Sequence, residues 1–308
     1  HINSLIGYYR FLSDQNIPVD FIHRLDLESG DLSQYKLIIV PYALMFNRKA
    51  AESLGEYVKN GGRVLSEARL AWNDERGYSS DVIPGLGLSE VFGVRESKVR
   101  TLSKVPIRVT DGSHEAMRHL EPGSIITGSR FAESLEPLKN RKQVRILAAF
   151  DDGTPAIVAS GYGKGQTIFV GSFLAMANSR GSLWDQSTQR LVVQDSANRN
   201  VNEFLLGIVD WANIDRPYSA EQEGDADNPL VVRLHEHSGG LVLYVMNHGK
   251  TPGRAVIRIK VKSDGKYALN EILRDRKINA TSVKGEISIS TNDIPVKDGQ
   301  IWLIEKAR

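Results

Sequence analysis

The chain has 308 residues, of which 41% are apolar and 25% charged, and its formal net charge is +2. That is room for one large or two ordinary globular domains. The balanced charge provides no basic field to gather nucleic acid or an anionic membrane, and no run of about 18 apolar residues is present to span a bilayer. The lack of cysteine removes disulfides, thiolate metal sites and cysteine nucleophiles together, while saying little about the compartment.

The chain begins at His1 and enters a helix at once, with Ile2, Leu5, Ile6, Tyr9 and Leu12 at helical spacing. "IPVDFIH" (17–23) reads as a short strand. "YKLIIVPYA" (35–43) is a near-continuous apolar run of the kind buried on both faces of a parallel sheet. Asn47 is placed to cap a helix through Ala50, Leu54, Tyr57 and Val58 that stops at "NGG" (60–62). "RVLSEA" (63–68) then forms the next strand, so strand, helix and strand predict a βαβ unit. An open sheet of this kind usually starts with a central strand, so the first strand is expected upstream of His1, in a longer protein.

Further on, "SKVPIRVT" (103–110), "VRILAAF" (144–150), "PAIVAS" (155–160) and "QTIFVG" (166–171) read as strands with short connections, and "DDGT" (151–154) is a hairpin turn. A helix is expected over 187–213, using Leu191, Val192, Phe204, Leu205, Ile208, Val209 and Trp211. The polar, proline-bracketed segment 215–228 reads as a linker. From 229 to 308 the apolar period becomes two, which predicts a small antiparallel β-sandwich. The expected organisation is an α/β domain with a mostly parallel sheet over 1–214, the linker, and the sandwich.

The stretch "GGRVLSEARLAWNDERGY" (61–78) stands where such a fold would carry a nucleophile on a sharp turn after a strand. No cysteine is available, no glycine flanks Ser66, and no histidine lies nearby to act as its base. What remains is a loop bearing Glu67, Arg69, Trp72, Asp74, Glu75, Arg76 and Tyr78. Trp, Tyr and Arg are the residue types most enriched in interface anchors, so this loop is a candidate contact surface as much as a packed turn.

Other motifs carry less. Asn202-Glu203 and Asn270-Glu271 match the Asn-Glu pair of some glycosidases, but the first lies in the expected helix and the second in the sandwich. "GYGKGQT" (161–167) lacks the spacing of a phosphate loop and leads into a strand, so it reads as a glycine-rich hairpin. His235 and His237 share a strand face, with His248 nearby, but make no complete ligand set. The acidic residues at 221–227 lack a calcium-loop pattern. No metal or cofactor is expected.

"DLSQYKLIIVPYALMFNRKAAESLGEYVKNGGRVLSEAR" (31–69) resembles the trimerisation domain of family 42 glycoside hydrolases, the bacterial β-galactosidases and their relatives. The pattern is DL-x-x-YK, an apolar run ending Val-Pro, a helix closing on Gly-Gly, then a strand. "GYGKGQTIFVGSF" (161–173) is similar to that family's late glycine-lysine-glycine turn. The resemblance covers about residues 1–213. It implies a flavodoxin-like fold related to class I glutamine amidotransferases with the catalytic cysteine lost. It also implies a homo-oligomer, a trimer in the intact protein, and carbohydrate chemistry on a separate (β/α)8 barrel outside this chain. No catalytic residue carries over. On that footing Glu67, Arg69, Trp72, Asp74, Arg76 and Tyr78 are expected as contacts to a neighbouring copy or its pocket. Two rivals are a carbohydrate-binding module stacking sugar on Trp72, Trp184 or Trp302, and a diverged hydrolase using Ser66 or Glu67.

Overall fold

The computed structural model describes residues 2–15, 17–139, 143–176, 181–185, 190–194, 199–223 and 230–307. The chain divides into two compact units. One comprises residues 1–12 and 19–214, and the other 13–18 and 215–308.

Helix α1 (Ile2–Asp14) forms as its periodicity predicts, but a different face is buried. Ile2 and Tyr9 point to solvent, while Ser4, Gly7, Tyr8, Phe11 and Leu12 pack inward. Residues 17–23 form no strand, contrary to expectation. They lead to a short helix, α2 (Arg24–Ser29), capped by His23 at its start and by Gly30, in the left-handed region, at its end. Strand β1 (Ile38–Val40) follows, then α3 (Arg48–Lys59), with Asn47 Oδ1 accepting from the amide of Ala50 at 2.7 Å. Strand β2 (Arg63–Glu67) lies parallel to β1, with Ile39 opposite Leu65. A one-and-a-half-turn helix, α4 (Leu88–Phe92), leads to strands β3 (Val94–Val109), β4 (Ile125–Pro137), β5 (Val144–Phe150), β6 (Pro155–Tyr162) and β7 (Gly165–Val170).

These seven strands make one sheet in the order β1-β2-β7-β6-β5-β3-β4. Within it β1, β2 and β7 run parallel. The pairs β7–β6, β6–β5, β5–β3 and β3–β4 are antiparallel, so the expected mostly parallel sheet is corrected to a mixed one. The physical reason is connection length. Asp151–Thr154 and the two-residue turn Gly163-Lys164 are too short for crossovers and can join only antiparallel neighbours. The glycine-rich hairpin docks on the end of α3, where the Lys164 amide donates to the Lys59 carbonyl. A Cβ on Gly165 would stand 2.0 Å from the Val58 carbonyl oxygen, so packing accounts for that glycine.

The β3–β4 ribbon shapes the region of interest. β3 gains one residue on β4 between Leu102 and Val105, and Arg130 opposite has φ of 68°. Such a bulge bends a ribbon. Beyond it β4 folds back over the chain leaving β7: the Ser129 amide donates to Phe173 O and the Glu133 amide to Gly171 O. Leu32, Val40, Leu54, Val58, Val64, Leu70, Phe92 and Phe169 belong to the core on the α3 side of the sheet.

Strands β8 (Gly181–Asp185) and β9 (Arg190–Gln194) pair as a hairpin. The helix expected from 187 therefore begins later, as α5 (Arg199–Trp211), and Leu191 and Val192 belong to a strand. Residues 186–189 lie outside those described.

The second unit is built of antiparallel strands. The segment expected as a linker contributes β10 (Tyr218–Glu223), because Tyr218 is an apolar anchor and the strand pairs along its length. Residues 224–229, with Asp225 and Asp227 of the acidic run, lie outside those described. Then come β11 (Val231–His237), β12 (Gly240–Met246), β13 (Arg254–Lys260), β14 (Lys266–Glu271), β15 (Arg276–Thr281), β16 (Glu286–Ser290) and β17 (Gly299–Lys306). They form a three-stranded sheet β10-β13-β16 and a five-stranded sheet β11-β12-β17-β14-β15. Trp302 is fully buried with Leu243, Ile257, Leu269 and Ile289 between them.

The fold-back of β4 depends on the absence of a side chain at Gly171, where a Cβ would stand 2.1 Å from the Glu133 carbonyl oxygen. Gly171→Ala is expected to cost about 2 kcal/mol by forced displacement of backbone. A lowered thermal midpoint in circular dichroism checks this, with Gly153→Ala, whose added Cβ meets nothing within 4 Å, as a comparison for backbone strain alone.

Candidate functional site: the turn after strand β2

At the end of β2 the side chains alternate between roles. Ser66 is buried, and its hydroxyl donates to the Val40 carbonyl at 3.0 Å across the β1–β2 pair. Its proton is committed to structure, and no base is within its hydrogen-bonding reach among the described residues. Glu67 is also buried and accepts from four donors. These are Ser4 Oγ, Tyr8 OH at 2.9 Å, and the amides of Leu174 at 2.7 Å and Ala175 at 3.3 Å. Burial raises the Glu67 pKa, and the four hydrogen bonds oppose that rise. Tyr8 is raised well above its ordinary value by burial and by the neighbouring carboxylate. Apolar periodicity ranks Ile2 and Tyr9 above Ser4 and Tyr8 on α1. The signal that would have found the latter is two hydrogen-bonding residues four apart, on one helical face, ahead of a buried acid.

After Glu67 the backbone turns sharply. Arg69 has φ of 66° and Ala71 φ of 52°, a left-handed conformation unusual for residues with a side chain. Two carboxylates hold that turn, one from each strand of the bent ribbon. Glu96 on β3 accepts from the Arg69 amide at 2.6 Å and lies 3.7 Å from its guanidinium, and Glu133 on β4 lies 3.1 Å from Nε. The side chains of Glu96 and Glu133 are 3% and 2% exposed. The guanidinium is near enough for ion pairing but not aligned for hydrogen bonds, so Glu96 Oε2 and Glu133 Oε1 lack a donor. Two acids thus share one cation in a dry place. Glu96 is pushed up to about 8 by burial and by the Glu133 charge, against the pull of Arg69. Glu133 is pushed up to about 7 by burial, again against Arg69. Neither glutamate stands out in the sequence, because each sits in a polar, irregular strand far from residue 69.

The outer surface of Arg69 is covered by aromatic rings. Its guanidinium carbon is 4.0 Å from the Trp72 ring centroid and 6.0 Å from that of Phe131, a cation–π arrangement. From Trp72 the chain makes a small antiparallel turn. Asp74 and Tyr78 pair through Asp74 N to Tyr78 O, and Trp72 and Ser80 through Ser80 N to Trp72 O. Asp74 Oδ1 accepts from the amides of Arg76 and Tyr78, both at 2.9 Å, closing the tip. The turn is fastened to the segment after β1 by Ala71 N to Ala43 O, Asn73 N to Leu44 O and Phe46 N to Asn73 O. Glu67 and Arg69 therefore face inward, while Trp72, Asp74, Arg76 and Tyr78 stand on an ordered, solvent-facing ribbon. The ribbon borders a shallow depression of about 430 Å³, lined among others by Arg48, Asp74, Tyr78, Asp81, Val82 and Pro84.

The weaker motifs resolve into structure. His235 stacks edge-on to Tyr244 at 5.6 Å, and His237 Nδ1 accepts from the Gly239 amide. Among the described residues no group of three or more His, Asp or Glu side chains is placed to hold a metal. Trp302 is core rather than a sugar platform, and the side chain of Trp184 lies outside those described. The geometry at β2 offers fixed charge and shape: Ser66 is bonded to a backbone carbonyl, and the hydroxyls that meet Glu67, those of Ser4 and Tyr8, are buried with it.

Against known proteins, residues 1–195 match the family described as the β-galactosidase trimerisation domain. The chain belongs to that family. Beside this match, the trimerisation-domain chain is 30% identical over 175 residues to β-galactosidase BgaB of Geobacillus sp. (strain Y412MC61), covering 54% of this chain and 23% of the relative. With β-galactosidase BbgII of Bifidobacterium bifidum it shares 24% identity over 252 residues, 73% of this chain and 33% of the relative. It therefore spans a quarter to a third of the length of these curated relatives. Among solved structures, a GH42 β-galactosidase from G. stearothermophilus superimposes with a TM-score of 0.69 at 16% identity, covering 99% of this chain and 36% of that one. The likeness in fold accordingly extends to both units of the trimerisation-domain chain.

Two outcomes follow from the buried acids. Glu67→Ala leaves Ser4 Oγ, Tyr8 OH and two amides without their acceptor and is expected to cost about 3 kcal/mol, whereas Glu67→Gln, which keeps one acceptor oxygen, costs less. Chemical denaturation of both variants checks this order. For Glu96 and Glu133 the folded-state pKa values are raised above the ordinary 4.5. The folded protein then binds more protons than the unfolded chain, so this contribution is full below about pH 4.5 and is lost as pH climbs through about 7 to 8. Glu96→Gln should remove up to about 1.4 kcal/mol per pH unit of that decline. The measurement is the unfolding free energy of both proteins from pH 6 to 9, where the variant's curve should be the flatter.

Proposed function

We propose that this chain is the oligomerisation and accessory region of a β-galactosidase-like glycoside hydrolase, with the galactoside chemistry carried out by groups outside residues 1–308. The observation that carries this is the match of residues 1–195 to the trimerisation-domain family, joined to relatives whose length is mostly outside the matched region. The turn after β2 supports it chemically. Ser66 and Glu67 are spent on internal hydrogen bonds, and the exposed residues of the loop form a fixed surface.

Within this reading, residues 1–214 serve self-association and 229–308 form the accessory sandwich. The first unit is taken as a descendant of the class I glutamine amidotransferase fold. Support for that descent comes from the parallel trio β1, β2 and β7 with α3 between β1 and β2, and from the left-handed turn at Arg69 after the middle strand. The elbow is kept and its nucleophile is not.

The test has two arms. Light scattering of the purified chain is expected to give about three times its 34.2 kDa mass. A nitrophenyl-galactoside assay is expected to give no turnover above buffer. A monomer at about 100 µM, well above the dissociation constants of stable assemblies, would count against the first arm. Turnover proportional to protein would remove the accessory role.

A further inference from the structure

We propose that the ribbon of residues 72–82 is the face through which a second copy of this chain docks, with Trp72, Tyr78 and Val82 as its anchors. This rests on the self-association reading above and names the surface that reading lacks.

Three observations point to it. The first is exposure of large apolar groups on an ordered support. Trp72 is 36% exposed, Tyr78 70% and Val82 44%. By the pairing of the ribbon, Trp72 and Asp74 share one side with Tyr78 and Ser80, so the two rings are diagonal neighbours on one face. Met45, 61% exposed, pairs with Asn73 and belongs to the other side.

The second observation is rigidity. Backbone and side-chain hydrogen bonds hold the ribbon from Trp72 to Ser80, including Ser80 Oγ to Ala71 O and Asn73 Nδ2 to Gly77 O. Trp72 rests on Arg69, itself held by Glu96 and Glu133. A surface fixed before contact loses little conformational entropy on binding. Two buried acids and a strained turn are a costly way to seat one tryptophan whose ring stays partly in water.

The third is charge. Arg48 and Arg76 lie among Asp74, Glu75 and Asp81 on and around the ribbon, and among the described residues none of the five has an ion-pair partner in its own chain. Elsewhere in the same unit Arg95–Glu136, Arg100–Asp152 and Arg145–Asp111 are paired within the chain. Charges of both signs around an aromatic centre can each meet an opposite charge on a second copy of the chain. An aromatic prominence beside an open depression also suits a head-to-tail contact, the kind that closes rings of three.

The test is sedimentation equilibrium of the 308-residue chain as wild type, Tyr78→Asp and Val82→Asp, with the thermal midpoint of each to confirm folding. Both side chains are exposed and make no side-chain hydrogen bond in the structure, so both variants should keep the wild-type midpoint. Each is expected to raise the dissociation constant at least about thirtyfold, as loss of an interface anchor does. Amide exchange over 72–82 should also slow in wild type as the protein is concentrated. If wild type assembles while both folded variants assemble equally well, and exchange over 72–82 does not change with concentration, the docking face is elsewhere and the proposed function survives. If wild type is monomeric, the self-association reading fails and takes this one with it. Should Tyr78→Asp lose its fold, Val82→Asp and the exchange measurement decide.

Discussion

The first unit depends on one carboxylate. Glu67 ends the middle strand of the parallel trio, sealed from solvent. Its burial is tolerable only because α1 delivers Ser4 and Tyr8 and the chain after β7 delivers two amides. Four groups distant in sequence are thereby fixed to one point. Remove any element and a charged or polar group is left dry, at a cost comparable to a sizeable part of a domain's net stability. The helix α1, which looks like a generic amphipathic element, is in this sense the lid of a polar socket.

Two residues later the same logic applies to a cation. Arg69 occupies the sharp turn after β2 and is wedged between Glu96 and Glu133. The two sites differ in how well they are satisfied. Glu67 has a donor on each oxygen, whereas the pair around Arg69 has too few donors for its lone pairs. Burial, joined at Glu96 by the charge of Glu133, pushes the two acids up to about 8 and about 7 against the pull of Arg69. A left-handed arginine, two under-solvated acids and a half-exposed tryptophan are costly features for a turn with no role beyond connecting two elements. They become reasonable if the turn must present a surface in a defined position.

Much of this is legible in the residues. The Asn47 cap, the α3 stripe, the Gly-Gly stop and the strand at 63–67 follow from local chemistry, and local chemistry is what a sequence displays. The hairpins at 151–154 and 163–164 are equally plain. Their consequence, an antiparallel half to the sheet, is hidden when the parallel start of the domain is extended to all of it. β4 and the first half of β3 cannot be read by alternation. Exposed stretches such as 97–100 lack an apolar face, and Ala132, Glu133 and Ser134 are buried without being apolar enough to announce it. Tyr218 pulls a polar segment into a sheet for the same reason in reverse: one anchor and a partner strand outweigh composition. At the site, Arg69, Trp72 and Tyr78 stand out by residue type. Their partners Glu96 and Glu133 do not, since the pairing is created by a bend in a ribbon that only tertiary structure shows.

The fold-back of β4 also bears on how copies of this molecule can meet. A seven-stranded sheet has two borders, and a bare border invites strand-by-strand polymerisation. Here one border is β1, only three residues long, and at the other the amides of Ser129 and Glu133 are already bonded to the chain at 171–173. Lateral growth of the sheet is therefore obstructed at both limits. Association is left to side chains on curved surfaces, where geometry can stop at a finite number of subunits instead of running on into fibres.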